Sequence, residues 1–256
     1  MKVLVTRPAT QAAEWVVQLH THGLDAVALP LIGIAPARDP AAVTAAWAHL
    51  ADYRLLVFVS PNAAEQFFAL RPADVAWPAG LLVGSPGPGT ARCLMAVGVP
   101  VETSVEPAAD APQFDSEALW ARLAAQPWAG ARVLVVRGDG GRDWLAETLR
   151  EQGAQVDFVS AYERSTPRLD AAQRALLAEA IVRPRGHLWF FSSSEAIDHL
   201  QALAPQARWG AALAVATHPR IVERARQAGF AQVHPTRPSL DAVVACIQSI
   251  EPLATP

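Results

Sequence analysis

A chain of 256 residues with 52% apolar composition has material for one large core or two ordinary ones, which excludes an intrinsically disordered chain. Its net charge of −3, with acidic and basic residues mixed along the chain, provides no basic footprint, so no nucleic-acid partner is expected. Arg, Asp, Gly or Pro interrupts every apolar run before the ~18 to 20 residues of a membrane span, and Met1 to Thr6 is too short for a signal-peptide core, so a cytoplasmic protein with no membrane partner is expected.

In chain order, the first element is the β-branched run Val3-Leu4-Val5-Thr6. It is followed by Arg7 and Pro8 and by a helix expected over Gln11–His22, which Gly23 closes. Leu29 to Pro36 is extended, ends on Pro and shows no helical periodicity. The apolar strand Arg54–Val59 leads into the turn Ser60-Pro61-Asn62, and Leu82-Val83-Gly84 leads into Gly87-Pro88-Gly89-Thr90 and a helix ending at Gly98. Val133-Leu134-Val135-Val136 runs into Arg137-Gly138-Asp139-Gly140-Gly141-Arg142, and a second extended segment, Phe158 to Pro167, carries Tyr162. His187–Phe191 leads into Ser192-Ser193-Ser194, and Ala214-Val215-Ala216 leads into His218-Pro219-Arg220-Ile221 and a helix ending at Gly229.

These elements repeat. Val3–Pro8 is echoed by Val133–Gly138 at an offset of about 130 residues, and Gly23 is echoed by Gly153. Val57–Ala64 aligns with Trp189–Ala196, pairing Ser60 with Ser192, and Leu82–Gly84 aligns with Ala214–Ala216. Each unit reads as strand, polar turn and helix, and the continuous apolar strands suit parallel sheets covered on both faces. The fold class is therefore α/β, two similar doubly wound parallel-sheet domains. The two extended segments read as crossings, which makes residues 1–36 with 166–256 one discontinuous domain and 37–165 an inserted one. A contiguous split near residue 130 is the alternative. Either way, ligands are expected outside the carboxyl ends of the strands, in a cleft between the domains.

The turns at those strand ends hold the candidate ligand contacts: Arg7, Ser60, Asn62, Thr90, Arg137, Gly141, Ser192, Ser193, Ser194, His218 and Arg220. Main-chain amides at helix starts, small hydroxyls and single arginines suit an anionic ligand. The serines serve equally as ordinary helix caps, and both readings stand. Gly138–Gly141 has neither the GxGxxG order nor the GK[ST] ending of a nucleotide loop, and Leu29-Pro30 stands where a ribose-binding acid is wanted. Cys93 and Cys246 are isolated and read as buried thiols, and the seven His show no ligand spacing, so no metal is expected. Of the two Tyr, Tyr53 precedes a buried strand and Tyr162 lies in the second crossing. The position of Tyr162 fits a packing residue, while its phenol, with an ordinary pKa of ~10, is a potential proton donor at neutral pH.

LVTRP at the N-terminus, SPNA at Ser60, GPGTA at Gly87, DSEAL at Asp115 (which includes Ser116), VLVVRGDGGRDWLAETLREQGAQV leading to AYER at Tyr162, FFSSSEA and the final PSLDAVV stand in the order found in one family. Over essentially the whole chain the sequence resembles the uroporphyrinogen-III synthases. The resemblance implies a lyase without cofactors that takes hydroxymethylbilane, releases water, and closes the ring with inversion of the last pyrrole through a spiro intermediate. It gives uroporphyrinogen III for tetrapyrrole biosynthesis. It implies Tyr162 as the hinge tyrosine assisting departure of the hydroxyl, and Ser60, Asn62, Thr90, Ser194 and Arg220 as cleft residues that receive acetate and propionate groups. It also fits a monomer in transient contact with the preceding deaminase. The sequence departs from the family pattern at His218-Pro219-Arg220-Ile221, where a GPxTA-like turn is expected, and at Asn62, where a basic residue is sometimes found. The rival readings are a non-catalytic two-domain binder of small anions and a nucleotide-dependent transferase using the Arg137–Arg142 loop.

Overall fold

Most strands are short apolar runs with little polar alternation, because both faces of each sheet are covered by helices. A computed structural model describes residues 1–250. The chain begins β1 (Lys2–Val5), α1 (Ala9–Thr21), β2 (Ala26–Ala28). It continues through β3 (Gly33–Pro36), α2 (Pro40–Ala48), β4 (Leu55–Phe58), α3 (Pro61–Ala69), β5 (Leu82–Gly84), α4 (Pro88–Ala96), β6 (Ser104–Val105), α5 (Ser116–Leu123), β7 (Arg132–Gly138), α6 (Trp144–Glu151) and β8 (Gln155–Ser165). It ends with α7 (Ala171–Val182), β9 (His187–Phe191), α8 (Ser194–Leu203), β10 (Leu213–Ala216), α9 (Pro219–Gln227), β11 (Gln232–Pro235) and α10 (Leu240–Ile250).

The chain divides into two units, Met1–Gly33 with the chain from Ser165 onward, and Ile34–Arg164. The first holds a five-stranded sheet of order β11-β10-β9-β1-β2, and the second a six-stranded sheet of order β3-β8-β7-β4-β5-β6. The pairs β1·β2, β1·β9, β9·β10 and β10·β11 are parallel, as are β4·β5, β4·β7, β5·β6 and β7·β8. No boundary falls near residue 130, because β7 is seated between β4 and β8 in one sheet.

Replacing β1, β2, β9, β10 and β11 by β7, β8, β4, β5 and β6 converts the first strand order into the second apart from the added edge strand β3, so the sequence repeat is a repeat of topology. The register corrects its alignment. Val5 pairs with Phe190, and its counterpart Val135 pairs with Val57, so Val57 corresponds to Phe190 and not to Trp189. The helix caps agree: Ser60 caps α3 and Ser193, not Ser192, caps α8. Val57 and Phe190 pair onward with Gly84 and Val215, which makes the caps Gly87 and His218, each followed by Pro, equivalent. Apolar runs misalign easily because every residue in them is buried, leaving no polar face to mark register.

Alternation along buried strands sends neighbouring side chains to opposite faces. In the second unit, Leu56, Phe58, Leu134 and Val136 pack with Trp47 of α2, Phe67 of α3 and Leu94 of α4. On the reverse face Leu55, Val57, Val133 and Val135 meet Leu119 of α5 and Leu149 of α6. In the first unit, Val3, Val5, Phe190 and Val215 pack with Leu19 of α1 and Ile247 of α10, while Trp189 and Phe191 meet Trp209 and Phe230 in an aromatic cluster. Cys93 and Cys246 are half-buried, not buried as expected, since each lies at the margin of its helix's packed face; burial still pushes the Cys246 thiol up.

Helices α1, α4, α6 and α9 are closed by Gly23, Gly98, Gly153 and Gly229, all with positive φ. Their surroundings differ: a Cβ on Gly23 would meet nothing within 4 Å, while one on Gly153 would lie 3.2 Å from Ala129 Cα. Gly23→Ala should therefore cost about 1 kcal/mol, the left-handed penalty alone, and Gly153→Ala about 2 kcal/mol or more. Denaturant unfolding of both variants measures the gap.

At the amino-terminal edge of the second sheet, Tyr53 donates to Asp157 (2.9 Å), and Arg132 donates to the same Asp157 oxygen (2.8 Å) while its guanidinium lies 4.6 Å over the Tyr53 ring. Burial, with the Asp157 carboxylate as acceptor, pushes the Tyr53 phenol up to about 12, and Arg132 holds Asp157 below its usual range. A phenol raised on folding stabilises the folded state below its unfolded pKa of ~10 and loses that contribution as pH rises through 12. The stability advantage of the native chain over Tyr53→Phe should be full at pH 8 to 9 and vanish by about pH 12, as chemical unfolding across that range would show.

Candidate functional site

Because β4, β5 and β7 run parallel in one unit and β1, β9 and β10 run parallel in the other, the turns that follow them leave one sheet edge. In the second unit Ser60, Asn62, Thr90, Arg137 and Gly141 lie at or just past the carboxyl ends of β4, β5 and β7; in the first, Arg7, Ser192–Ser194, His218 and Arg220 lie just past those of β1, β9 and β10.

Ser60 has extended backbone before α3, so its Oγ accepts from the Ala63 amide at 3.2 Å. The same Oγ lies 3.0 Å from the Tyr162 hydroxyl. Tyr162 is 1% exposed, in the apolar cluster with Phe58, Val136, Val159 and Ala161. Simple alternation would place Val159 and Ala161 on this face and Tyr162 on the other. The β7·β8 register shifts after Arg137↔Ser160, so that Gly138 pairs with Tyr162, and this bulge turns the ring inward. Gly138 makes room for it: a Cβ there would sit 2.9 Å from Tyr162 Cζ. The phenol does not reach open surface; half-buried Ser60 stands between it and the turn.

The loop after β7 is built from charge pairs. Arg137 lies 4.6 Å over the Phe158 ring and donates to Asp143, with 18% of its side chain exposed. Arg142 donates through both terminal nitrogens to Glu117, at 2.6 and 2.9 Å, and this pairing raises its pKa further. Gly141 adopts φ +144°, outside the range of ordinary side chains. Phe114, Ser116, Arg137, Gly141, Arg142 and Arg164 line a cavity of about 260 Å³. Ser116 opens α5, whose cap Asp115 accepts from the Ala118 amide at 3.0 Å.

The remaining candidates fall outside this cavity's lining. Asn62 is half-buried in the first turn of α3, and Thr90 is 4% exposed in the first turn of α4, so its hydroxyl faces protein. In the first unit, the Arg7 guanidinium lies 4.6 Å over Trp15 and 5.7 Å from the Phe190 ring. Ser193 accepts from the Glu195 amide at 3.2 Å, flanked by half-buried Ser192 and Ser194. His218 Nδ1 accepts from the Arg220 amide at 3.1 Å, the Arg220 guanidinium lies 3.3 Å from Nε2 of the same ring, and Arg220 is exposed. Sequence reasoning did not pick out Arg142 and Arg164 as site residues. Arg142 ends the glycine-rich turn, where its own position could have flagged it; Arg164 reaches the cavity only through the β7·β8 pairing. Among the described residues no three His, Cys, Asp or Glu side chains converge as a metal site, and no helix is long and apolar enough to cross a membrane.

Fold and site together define a tandem α/β protein whose turns at one edge of each sheet present arginine, hydroxyl and amide donors. A sequence model of the family described as uroporphyrinogen-III synthase HemD matches residues 13–245. The uroporphyrinogen-III synthase of Escherichia coli (strain K12) is 30% identical over 214 residues, 80% of this chain and 81% of that one. That of Synechococcus elongatus is 32% identical over 170 residues, 64% of this chain and 61% of the relative. In fold, a crystal structure of a mutant uroporphyrinogen III synthase from Thermus thermophilus superposes with a TM-score of 0.61 at 16% identity, covering 98% of each chain. The Helicobacter pylori uroporphyrinogen-III synthetase superposes at 0.56 with 14% identity, covering 98% of this chain and 99% of that one. The chain belongs to the uroporphyrinogen-III synthase family, enzymes of the lyase class that cyclise hydroxymethylbilane.

The Ser60–Tyr162 bond is open to direct test. Ser60→Ala removes a cap and strands a buried phenol, for a cost of about 2 to 3 kcal/mol. With Tyr162→Phe already present there is no phenol to strand, so the double variant should be about 1 kcal/mol more stable than the sum of the singles implies. Additive losses in urea unfolding would show that the two hydroxyls are not bonded.

Proposed function

We propose that the chain closes hydroxymethylbilane to uroporphyrinogen III, inverting the terminal pyrrole and releasing water, with Ser60 and Tyr162 acting as a hydrogen-bonded pair on the departing hydroxyl. The observation that carries this reading is the family match over residues 13–245, which includes every turn described above except that at Arg7. A substrate bearing several carboxylates suits the Arg137–Arg142 loop, the Ser193 and His218 caps and Arg220. Residues 1–36 with 166–256, and residues 37–165, are read as two domains that each hold part of the bilane. Operation as a cytoplasmic monomer, meeting the preceding deaminase transiently, belongs to the same reading.

Within the pair the direction of donation follows from burial. Were Ser60 to donate to Tyr162, the phenolic proton would be buried with no acceptor among the described residues, whereas Tyr162 donating to Ser60 Oγ satisfies both groups. Ser60 then directs its own proton toward the turn surface. As the hydroxymethyl C–O bond breaks, its electron pair leaves with oxygen, and the proton that completes the water comes from Ser60, which is resupplied by Tyr162. Ring closure and the loss of a pyrrole proton return the pair to its starting state. Tyr162 thus acts through Ser60.

The test is to supply fresh hydroxymethylbilane to the purified protein, oxidise the product, and separate the type I and type III isomers. Predominantly type III is expected; type I alone would leave a non-catalytic anion binder. Ser60→Ala and Tyr162→Phe should each lower kcat about 100-fold, with the serine variant at least as damaged. A clearly larger loss for Tyr162→Phe would reverse the proposed order.

A further inference from the structure

The cavity after β7 holds three arginines, Arg137, Arg142 and Arg164, against one lining carboxylate, Asp115, whose Oδ1 already accepts from the Ala118 amide. At about 30 Å³ per water, its 260 Å³ has room for a carboxymethyl or carboxyethyl arm and several waters. The arginines are held differently. Arg137 is fixed by Asp143 on one side and the Phe158 ring on the other, at 18% exposure. Arg142 and Glu117 are each 41% exposed, and an ion pair that open to water holds its partners weakly. Glu117 nonetheless meets Arg142 in the two-pronged geometry that any incoming carboxylate would adopt.

We propose that this cavity is a subsite for one carboxylated arm of the substrate, and that Glu117 is an internal carboxylate which Arg142 exchanges for that arm on binding. The proposal rests on the substrate reading above. Ser116 and Gly140–Gly141 also line the cavity beside the apolar Val59, Pro86 and Phe114, and Gly141 lets the main chain follow a path that a side-chain-bearing residue resists. Because the internal acid competes with the ligand, its removal strengthens binding while removal of the arginine weakens it. A merely structural ion pair behaves otherwise: loss of either partner acts in the same direction.

Arg142→Gln and Glu117→Gln are therefore compared by steady-state kinetics with hydroxymethylbilane, and by fluorescence titration with uroporphyrin I, a cyclic octacarboxylate that is not turned over. For Arg142→Gln, KM and the porphyrin Kd are expected to rise about tenfold, with kcat changing less than about twofold, the loss of one charged two-pronged contact. For Glu117→Gln both constants should fall about threefold, since a weaker internal competitor remains. Shifts in the same direction for the two variants, or none in either, would overturn the exchange. The porphyrin titration needs no turnover, so type III product from the native chain alongside unchanged constants in both variants would sink the subsite alone, and absence of type III product would sink the reaction alone.

Discussion

Parallel pairing is the constraint on which the rest of this structure depends. A parallel strand must be followed by a crossover, here a helix, and those helices bury both faces of each sheet. The polar turns that follow successive strands are thereby collected at one edge, and the apolar clusters of Trp47, Phe58 and Phe67 in one unit and Trp189, Phe191 and Phe230 in the other lie within the layers. The innermost strands carry almost no polar side chains, so the chemistry is kept at strand ends, in the turns and on the long strand β8.

The tandem repeat makes the two edges alike in geometry and unlike in chemistry. Equivalent caps are Ser60 and Ser193 at one turn, and Gly87 and His218 at the other. Only the second unit adds a bulged strand pair, a buried tyrosine and a loop of paired arginines. The bulge joins two of these features. It turns Tyr162 toward the core, and it falls at Gly138, the last residue of β7 before the loop that carries Arg142. One irregularity in strand pairing thus sets both a hydroxyl pair and the mouth of an arginine-lined cavity.

Much of this was legible in the sequence. The β-branched runs, the glycines at 23, 98, 153 and 229, and the Pro that follows Ser60, Gly87 and His218 are local signals, decided by backbone sterics within a few residues. Their repetition identified the α/β class and the turns that carry polar groups, and the order of motifs pointed to the family. Boundaries moved by a residue or two: β1 is Lys2–Val5, because Thr6 leaves the ladder and its hydroxyl donates to Phe190 O at 2.7 Å, and α1 begins at Ala9.

What the sequence by itself determined, then, is the kind of elements, their repetition and the identity of the polar turns, all of which follow from short-range sterics and the burial of apolar runs. Tertiary structure alone decided register and company. It aligned Ser60 with Ser193, since uniformly apolar strands carry no mark of register until they pair. It placed Tyr162 on Ser60, 102 positions away in the chain, and brought Arg164 beside Arg142 through the β7·β8 pairing. Contacts of that span depend on which strands become neighbours, and no local preference in the chain encodes that choice.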